Sequence, residues 1–546
     1  MNGYYRLLLT AGLVVGLAGC DLSIVNEEAP ETERVLATAD DVENLIAGSW
    51  LSWWNGTMGL GPGGSYNPGI SAQMSTAAFE HSAMAANFGM IERSTIPRTP
   101  FNNNDADAFA GEYRRDYYSS YSAIRAATDG LIVINDGLAI GDATRTARAR
   151  AFAKFVQGLA HGTLALTYDQ AIIVDETMPR SPPPTTFSPY AAVMTAALGY
   201  LQEAIDIAEA NTFTLPGTWI NGSALTSAEL AAVARSYKAR YRAQVARTPA
   251  ERADVSAGGI VDWDEVIADA QAGIAADLTL DTDDNIWVQV ITEYHSLTGV
   301  WHMTHMFVVG MADTSGAYQA WIATPLESRT PFVIQTPDLR LPRGTDEATQ
   351  ADATGCGTTG CANKGTYIRW FGTGGHVRSD RGTWRWSFYR DVRFQAYWDA
   401  FWQGPFPILQ KVELDLLAAE GYLRTGQEAL AVPIINATRT ASGLSAVTTA
   451  GIPAPAAGST NCVPRLPGGS CATSLLEALK WEKRLETWAV VYGGWFFDGR
   501  GWGDLHQGTA LHYPVPARDL QVLGQPLYTF GGVGGTGSAP VGTYGY

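Results

Sequence analysis

The chain contains the stretch Leu409-Gln-Lys-Val-Glu-Leu-Asp-Leu-Leu-Ala-Ala-Glu-Gly-Tyr-Leu-Arg-Thr-Gly426, which decides how its C-terminal part folds. Apolar residues recur at three- and four-residue intervals from Pro407 to Arg424, the spacing that places them on one face of an α-helix. This periodicity pauses at Gly426, a residue type that commonly ends helices, and it returns from Ala429 to Thr440. The stretch therefore predicts two successive helices joined by a short turn.

The same helical spacing occurs throughout the N-terminal half of the chain. Some of these segments begin at residues that suit a helix start: Pro189 follows Ser188, and Thr226 or Ser227 precedes Glu229. Consecutive helices of about 20 residues, arranged as pairs, resemble tetratricopeptide-like helix-hairpin repeats, although the roughly 34-residue consensus is absent. The further predicted helices are Asp41–Trp54, Ala106–Val133, Thr144–Leu166, Tyr190–Glu209, Ser227–Val245, Trp263–Ile274 and Ser474–Trp488.

The sequence pattern changes between Leu278 and Asp399. Helical periodicity fades there, while Trp, Thr, Gly and Arg accumulate in segments such as Thr366-Tyr-Ile-Arg-Trp-Phe371. This region predicts loops and short strands inserted into a helical body. The residues after Thr529 are rich in glycine and are predicted to be irregular. We therefore expect a mainly α protein with an irregular insertion of loops and short strands.

Five motifs in the C-terminal part occur in a specific order. The opening stretch, with its Ala-Glu and Thr-Gly, is followed by Asn436-Ala-Thr-Arg439, then Trp481-Glu-Lys-Arg-Leu-Glu486 and Gly494-Trp-Phe-Phe-Asp498, and finally Pro514-Val-Pro516. In order and spacing they resemble the SusD/RagB family of outer-membrane nutrient-binding lipoproteins. Segments that resemble earlier helices of that family are Asp41–Gly48, Tyr117–Asp136 and Ala151–Ala171.

The resemblance implies both an architecture and an activity. It implies a single SusD-like domain over residues 40–546, with a helical body at 40–277 and 400–528, a variable insertion at 278–399 and a glycine-rich tail at 529–546. It also implies a non-enzymatic protein that captures an oligosaccharide or peptide and delivers it to a TonB-dependent transporter of the SusC/RagA type.

The N-terminus carries a targeting signal. Leu7 to Leu17 is almost wholly apolar, Arg6 is the only charged residue before Cys20, and Leu17-Ala-Gly-Cys20 resembles a bacterial lipobox. We therefore predict a lipoprotein signal peptide at residues 1–19, lipidation of Cys20, and a flexible tether over residues 20–39. The family resemblance places the anchored body at the outer membrane, facing the exterior.

Charge and cysteine content restrict the partners. A formal net charge of -17 argues against nucleic acid as a partner. Besides Cys20, the cysteines form two close pairs, Cys356 with Cys361 and Cys462 with Cys471, which predict two disulfides in an oxidising compartment. A zinc site is one alternative, although about a hundred residues separate the pairs, and other disulfide connectivities among these four cysteines stay open. We expect no cofactor and no metal.

Ligand contacts are expected from loops, because loops on a rigid scaffold reach solvent. The 17 Trp and 23 Tyr residues supply flat faces that stack on sugars, although most of them are expected to be core residues. Two aromatic-rich regions qualify, residues 53–104 and 285–321. The predicted ligand-binding residues within them are Trp54, Tyr66, Asn87, Trp287, Tyr294, Trp301, His302 and Trp321.

No catalytic motif stands out in the sequence. His295, His302 and His305 lack the spacing of a helical zinc-binding motif. A glycan hydrolase needs only two suitably placed carboxylates, so a lipid-anchored hydrolase stays open as the alternative function. A helical scaffold that binds only protein is a third possibility.

Overall fold

The computed structural model describes residue 36 and residues 38–58, 69–179, 183–289, 302–351, 363–372, 382–456 and 462–546. Helices dominate the N-terminal part, where the structure has α1 Ala39–Thr57, α2 Ile70–Ala77, α3 Met90–Ser94, α4 Ala110–Asn135, α5 Ala143–Thr167, α6 Tyr190–Ala210, α7 Ser227–Gln244, α8 Pro249–Ala253 and α9 Trp263–Gln271. The short helices of the middle region are α10 Met306–Val309, α11 Ala317–Ala323, α12 Glu347–Ala351 and α13 Gln395–Asp399, with 3-10 turns at Gly310–Ala312, Leu326–Ser328 and Thr383–Arg385. The C-terminal helices are α14 Lys411–Arg424, α15 Glu428–Ala441, α16 Leu475–Glu486, α17 Gly494–Trp502 and α18 Ala517–Val522.

The long helices that periodicity predicts are confirmed, with ends that move by a few residues. Thr226 caps α7 through a capping box with Glu229, and the side chain of Thr38 accepts a hydrogen bond from the N–H of Asp41 at the start of α1. Pro189 lies one position before the first residue of α6. Local capping chemistry therefore explains where these helices begin.

The helices of the body pack closely on their neighbours. α5 packs against both α4 and α6, and α6 in turn packs against α7. Two glycines of α5 permit this approach: a Cβ atom on Gly158 would lie 2.5 Å from Leu201 of α6, and one on Gly162 would lie 2.0 Å from Tyr241 of α7. The main hydrophobic core extends from Val42 to Ala539 through these helices.

The described strands form small antiparallel pairs. They are β1 His81–Ala83 with β5 His302–Thr304, β2 Gln170–Ala171 with β3 Ser188–Pro189, β4 Leu278–Asp283 with β8 Gln403–Leu409, and β6 Ile368–Trp370 with β7 Tyr389–Asp391. The predicted insertion of loops and short strands is thereby confirmed. A second hydrophobic core, which includes Phe307, Trp321 and Trp481, packs this insertion against α16.

One helix start is wrong in the sequence prediction. The segment from Pro407 to Leu409 belongs to β8, which pairs with β4, and α14 begins only at Lys411. The apolar residues around Pro407 serve a half-buried strand, and the missing N–H of proline is tolerated in a two-stranded pair. The tertiary partner β4 decides this boundary.

Cys462 and Cys471 form a disulfide, with Cα atoms 5.7 Å apart, as predicted. Cys20, Cys356 and Cys361 lie outside the described residues, so their predicted lipidation and pairing stay predictions. None of the helices in the described ranges is both long and apolar enough to cross a membrane.

Candidate functional site

The two regions predicted to bind ligand are joined in the structure. β1 comes from the first region and β5 from the second, and their register places His81 opposite Thr304 and Ala83 opposite His302. The indole N–H of Trp488 donates to Nε2 of His81 over 2.8 Å, so the loop after α16 also meets this junction. Long-range pairing therefore brings both predicted regions together.

This junction is buried. Burial lowers the pKa of His81 and of His305, which keeps both rings neutral. Burial also raises the pKa of Glu80 to about 8, although its carboxylate accepts a hydrogen bond from the N–H of Ala489. Neutral, hydrogen-bonded groups of this kind stabilise a core. No group of three residues suited to holding a metal ion occurs in the part of the chain that the structure describes.

Three of the predicted ligand residues belong to this interior. Trp54 is fully buried and donates its indole N–H to the carbonyl oxygen of Val288 over 2.9 Å, while His302 is buried in β5. Trp321 lies edge-on to Phe307, with ring centroids 5.0 Å apart. Their burial corrects the sequence interpretation, because aromatic side chains with this much apolar area pack in cores even when they come from loop-rich regions.

The other predicted positions divide into two groups. Asn87 is exposed, and Trp287 is half-buried with its ring 5.7 Å from that of Trp50. Tyr66, Tyr294 and Trp301 lie outside the described residues. Of the predicted set, Asn87 and Trp287 are thus the described residues that have access to solvent.

A cluster of aromatic side chains lies at the start of β8, in which Phe401 is exposed and Trp398 and Trp402 are half-buried. We call residues 398–403 the aromatic turn, because it contains Trp398, Phe401 and Trp402. Phe401 is 73% exposed, the most solvent-accessible aromatic among the exposed large apolar residues described. Phe401 and Trp402 have φ angles of 56° and 55°. Residues other than glycine seldom adopt this left-handed conformation, and such strained positions cluster at functional sites.

Hydrogen bonds and apolar packing hold the aromatic turn in place. The hydroxyl of Thr282 in β4 lies 2.7 Å from the carbonyl oxygen of Trp402, and the N–H of Trp402 donates to the carbonyl oxygen of Tyr397. Tyr397 packs on Phe406 with Val490 and Val491 beneath the turn. The rings of Trp398 and Trp402 meet edge to face, with centroids 4.7 Å apart. The turn therefore presents its aromatic faces on a rigid base.

Polar side chains accompany these rings. β4 ends at Asp283, which pairs with Gln403 of the turn. The carboxylate of Asp283 accepts hydrogen bonds from the N–H groups of Asn285, Ile286 and Trp287 and so orders the following loop. The side chain of Asn285 is exposed, whereas the indole nitrogen of Trp402 is buried. An exposed aromatic face beside amide groups can stack on a sugar ring while the amides bond its hydroxyls.

Sequence reasoning missed Phe401 and Trp402. It placed this segment at the border between the insertion and the helical body, where no loop was singled out. The available signal was Trp398-Asp-Ala-Phe-Trp-Gln-Gly404, in which three aromatic residues precede a Gly-Pro pair. Only the pairing of β8 with β4 shows that these side chains face solvent.

The residues that carry the family resemblance have a different role. Arg439 donates to the carbonyl oxygen of Val463, Glu482 pairs with Arg340 at 2.7 Å, and Arg484 pairs with Asp504. Each of these side chains is buried. The motifs therefore encode the packing of the C-terminal helices, and the candidate ligand surface lies elsewhere.

No protein-family model matches the sequence, and no curated protein matches it. Solved structures do match. A SusD superfamily protein from Parabacteroides distasonis matches with a TM-score of 0.54 and 11% identity over 88% of this chain and 97% of its own. One from Bacteroides vulgatus matches with a TM-score of 0.53 and 13% identity over 89% of this chain and 97% of its own. A SusD-like carbohydrate binding protein from Bacteroides fragilis matches with a TM-score of 0.53 and 11% identity, over 86% of this chain and 87% of its own. The chain has the fold of the SusD superfamily, as its C-terminal motifs predicted.

Proposed function

We propose that this protein is a cell-surface lipoprotein that binds a nutrient, an oligosaccharide or a peptide, and delivers it to a TonB-dependent outer-membrane transporter. The shared SusD-like fold supports a binding role, and the matched Bacteroides fragilis protein carries the description carbohydrate binding. The lipobox-like Leu17-Ala-Gly-Cys20 supports anchoring of the domain at the outer membrane, with its body facing outward.

The aromatic turn is the observation that carries the ligand assignment. Phe401 is largely exposed, and Trp398 and Trp402 flank it. Gln403 follows in the chain, and Asn285 lies two residues beyond Asp283, the strand partner of Gln403. Covering the exposed ring of Phe401 with an apolar ligand face would remove apolar area from water. A sugar ring offers such an apolar C–H face, and the adjacent amides match its hydroxyls. A glycan is therefore the ligand class we favour over a peptide.

Affinity electrophoresis in gels that contain individual polysaccharides tests this assignment. We expect Phe401→Ala and Trp402→Ala to weaken retention about tenfold on the glycan that retards the wild type, because each removes a stacking face. Leu430→Ala is the matched control, since Leu430 is 49% exposed on α15 and has no aromatic ring. Unchanged retention of both turn variants would reject the turn as the glycan site, and no retention on any glycan would favour a peptide ligand.

Delivery and anchoring need separate experiments. Pull-down from membranes solubilised in mild detergent is expected to recover a large barrel transporter together with this protein. Mass spectrometry is expected to find acyl chains on Cys20. Recovery of the protein alone would count against delivery, and an unmodified thiol at Cys20 would count against the anchor.

The alternative function, a lipid-anchored glycan hydrolase, makes a different prediction. A hydrolase would generate new reducing ends when the purified protein is incubated with polysaccharide pools. We expect none above the level of a heat-denatured control.

A further inference from the structure

A cavity of about 290 Å³ lies between α4, the segment after β2 and α18. Its floor and walls are mostly apolar and include the rings of Tyr117, Tyr118 and Tyr121 and the side chains of Ile132 and Met178. Carboxylates of Asp129, Asp175 and Asp519 line it together with the guanidinium of Arg125. The cavity therefore combines an apolar interior with charged groups, and it is built from elements other than β4, β8 and the aromatic turn.

The hydrogen-bonding groups of this cavity are mainly acceptors. The hydroxyl of Tyr118 already donates to Asp519 over 2.7 Å, and the hydroxyl of Tyr121 donates to the carbonyl oxygen of Ile172 over 3.0 Å. Asp175 accepts hydrogen bonds from Thr177 and from the hydroxyl of Tyr200. Since the hydroxyl donors of Tyr118 and Tyr121 are used internally, the polar capacity left for a ligand lies mainly in the lone pairs of carboxylates, beside the half-exposed guanidinium of Arg125.

Negatively charged side chains outnumber positively charged ones in the lining of the cavity. Arg125 pairs with Asp129 at 2.6 Å, and this arginine side chain is 53% exposed. Asp175 and Asp519 remain as carboxylates whose hydrogen-bond donors in the structure are uncharged. Burial raises the pKa of Asp519, against the opposing effects of the hydrogen bond from Tyr118 and the charge of Arg518. A positive charge placed here would gain electrostatic attraction to the carboxylates of the lining.

We propose that this cavity binds an alkyl-ammonium or alkyl-guanidinium group, the chemistry of a lysine or arginine side chain in a peptide. The apolar stem of such a group would lie along Ile132 and Met178, and its cationic end would lie among the tyrosine rings and the carboxylates of Asp175 and Asp519. Ammonium and guanidinium groups carry only donors, which matches a site that offers acceptors. This inference does not depend on glycan binding at the aromatic turn.

Isothermal titration calorimetry of the whole protein tests the proposal with three probes. They are a capped tripeptide with a central arginine, the same peptide with norleucine in place of arginine, and free pentylamine. We expect the arginine peptide to saturate the site below about 1 mM and the norleucine peptide to bind at least about tenfold more weakly. Stronger binding of the peptide than of pentylamine would identify a peptide as the source of the cation, and equal binding would identify the free amine.

Variants connect the binding to this cavity. Asp519→Asn keeps the shape but removes one charge, and we expect about fivefold weaker binding of the arginine peptide. Ile132→Trp fills the cavity and is expected to abolish binding, with an unchanged melting temperature as proof of folding. Asp264→Asn, an exposed carboxylate of α9, is the matched control and is expected to change nothing. Any of three results would overturn the proposal. The norleucine peptide binds as tightly as the arginine peptide, Asp519→Asn and Asp264→Asn weaken binding of the arginine peptide equally, or Ile132→Trp leaves that binding unchanged. Phe401→Ala is expected to leave this binding intact, which separates the cavity from the glycan site.

Discussion

At the scale of single residues, buried charges hold the C-terminal helices together. Arg252 donates to both carboxylate oxygens of Glu420 at 2.7 Å and to Asp498 at 3.0 Å, and Lys483 pairs with Asp498 at 2.8 Å. These four side chains are at most 5% exposed. Burial alone would raise the pKa of Glu420, but Arg252 together with neighbouring cations holds this pKa well below its usual value. Glu420 is therefore ionised, and its charge compensates Arg252.

We predict that Glu420→Ala lowers the free energy of unfolding by about 3 to 5 kcal/mol, because Arg252 and Lys483 must then share the carboxylate of Asp498 and one buried positive charge loses its compensation. Glu327→Ala makes the same chemical change at an exposed position and should shift stability by no more than about 0.5 kcal/mol. Denaturant unfolding followed by circular dichroism measures both values. Similar small losses in the two variants would show that the charge network contributes little.

At the scale of secondary-structure elements, helix starts depend on local hydrogen bonds. In α7 the hydroxyl of Thr226 accepts from the N–H of Glu229, and the carboxylate of Glu229 accepts from the N–H of Thr226. This reciprocal arrangement satisfies two N–H groups that the first helical turn leaves without intrahelical partners. The capping box was visible in the sequence because it needs only residues three positions apart.

We predict that Thr226→Ala costs about 1 kcal/mol of stability, since the cap is lost while the helix sequence is unchanged. Thr195→Ala, in the exposed face of α6, removes an equal number of atoms and should be neutral or slightly stabilising. Thermal unfolding of both variants provides the comparison, and a loss of equal size in Thr195→Ala would remove the cap as the cause.

At the scale of the whole molecule, the glycine-rich tail closes the second core. It was predicted to be irregular, and no helix or strand is assigned to residues 529–546, all of which are described. Its aromatic side chains are nevertheless packed: Tyr544 is 8% exposed and donates its hydroxyl to Glu477, and the ring of Tyr546 lies 4.6 Å from that of Phe307. The tail thereby links α16 with the insertion.

We predict that Tyr544→Ala lowers the free energy of unfolding by about 3 to 5 kcal/mol, because it opens a cavity beside Arg484 and removes a buried hydrogen bond. Val533→Ala is the control within the same tail, since Val533 is 51% exposed and its truncation should change stability by no more than about 0.5 kcal/mol. Chemical denaturation compares the two. Equally small losses of stability in the two variants would show that the packing of Tyr544 does not stabilise the second core.

Much of the fold was accessible from the sequence because its information is local. Helical periodicity, the Thr226 cap, the fading of periodicity after Leu278 and the ordered C-terminal motifs all depend on residues close together in the chain. The close spacing of Cys462 and Cys471 likewise predicted a disulfide that the structure contains. These features determined the mainly α, SusD-like architecture.

The candidate ligand surface depends on tertiary structure. Composition marks an aromatic residue as useful either for packing or for stacking on a ligand, and only its neighbours in space distinguish the two roles. Trp54 is buried with its ring stacked on that of Trp50, and Trp321 is buried with its ring against those of Phe307 and Tyr318. Phe401 remains exposed because the pairing of β8 with β4 holds the turn at the end of the strands. Exposure depends on contacts between residues that are far apart in the chain, and no local pattern encodes them.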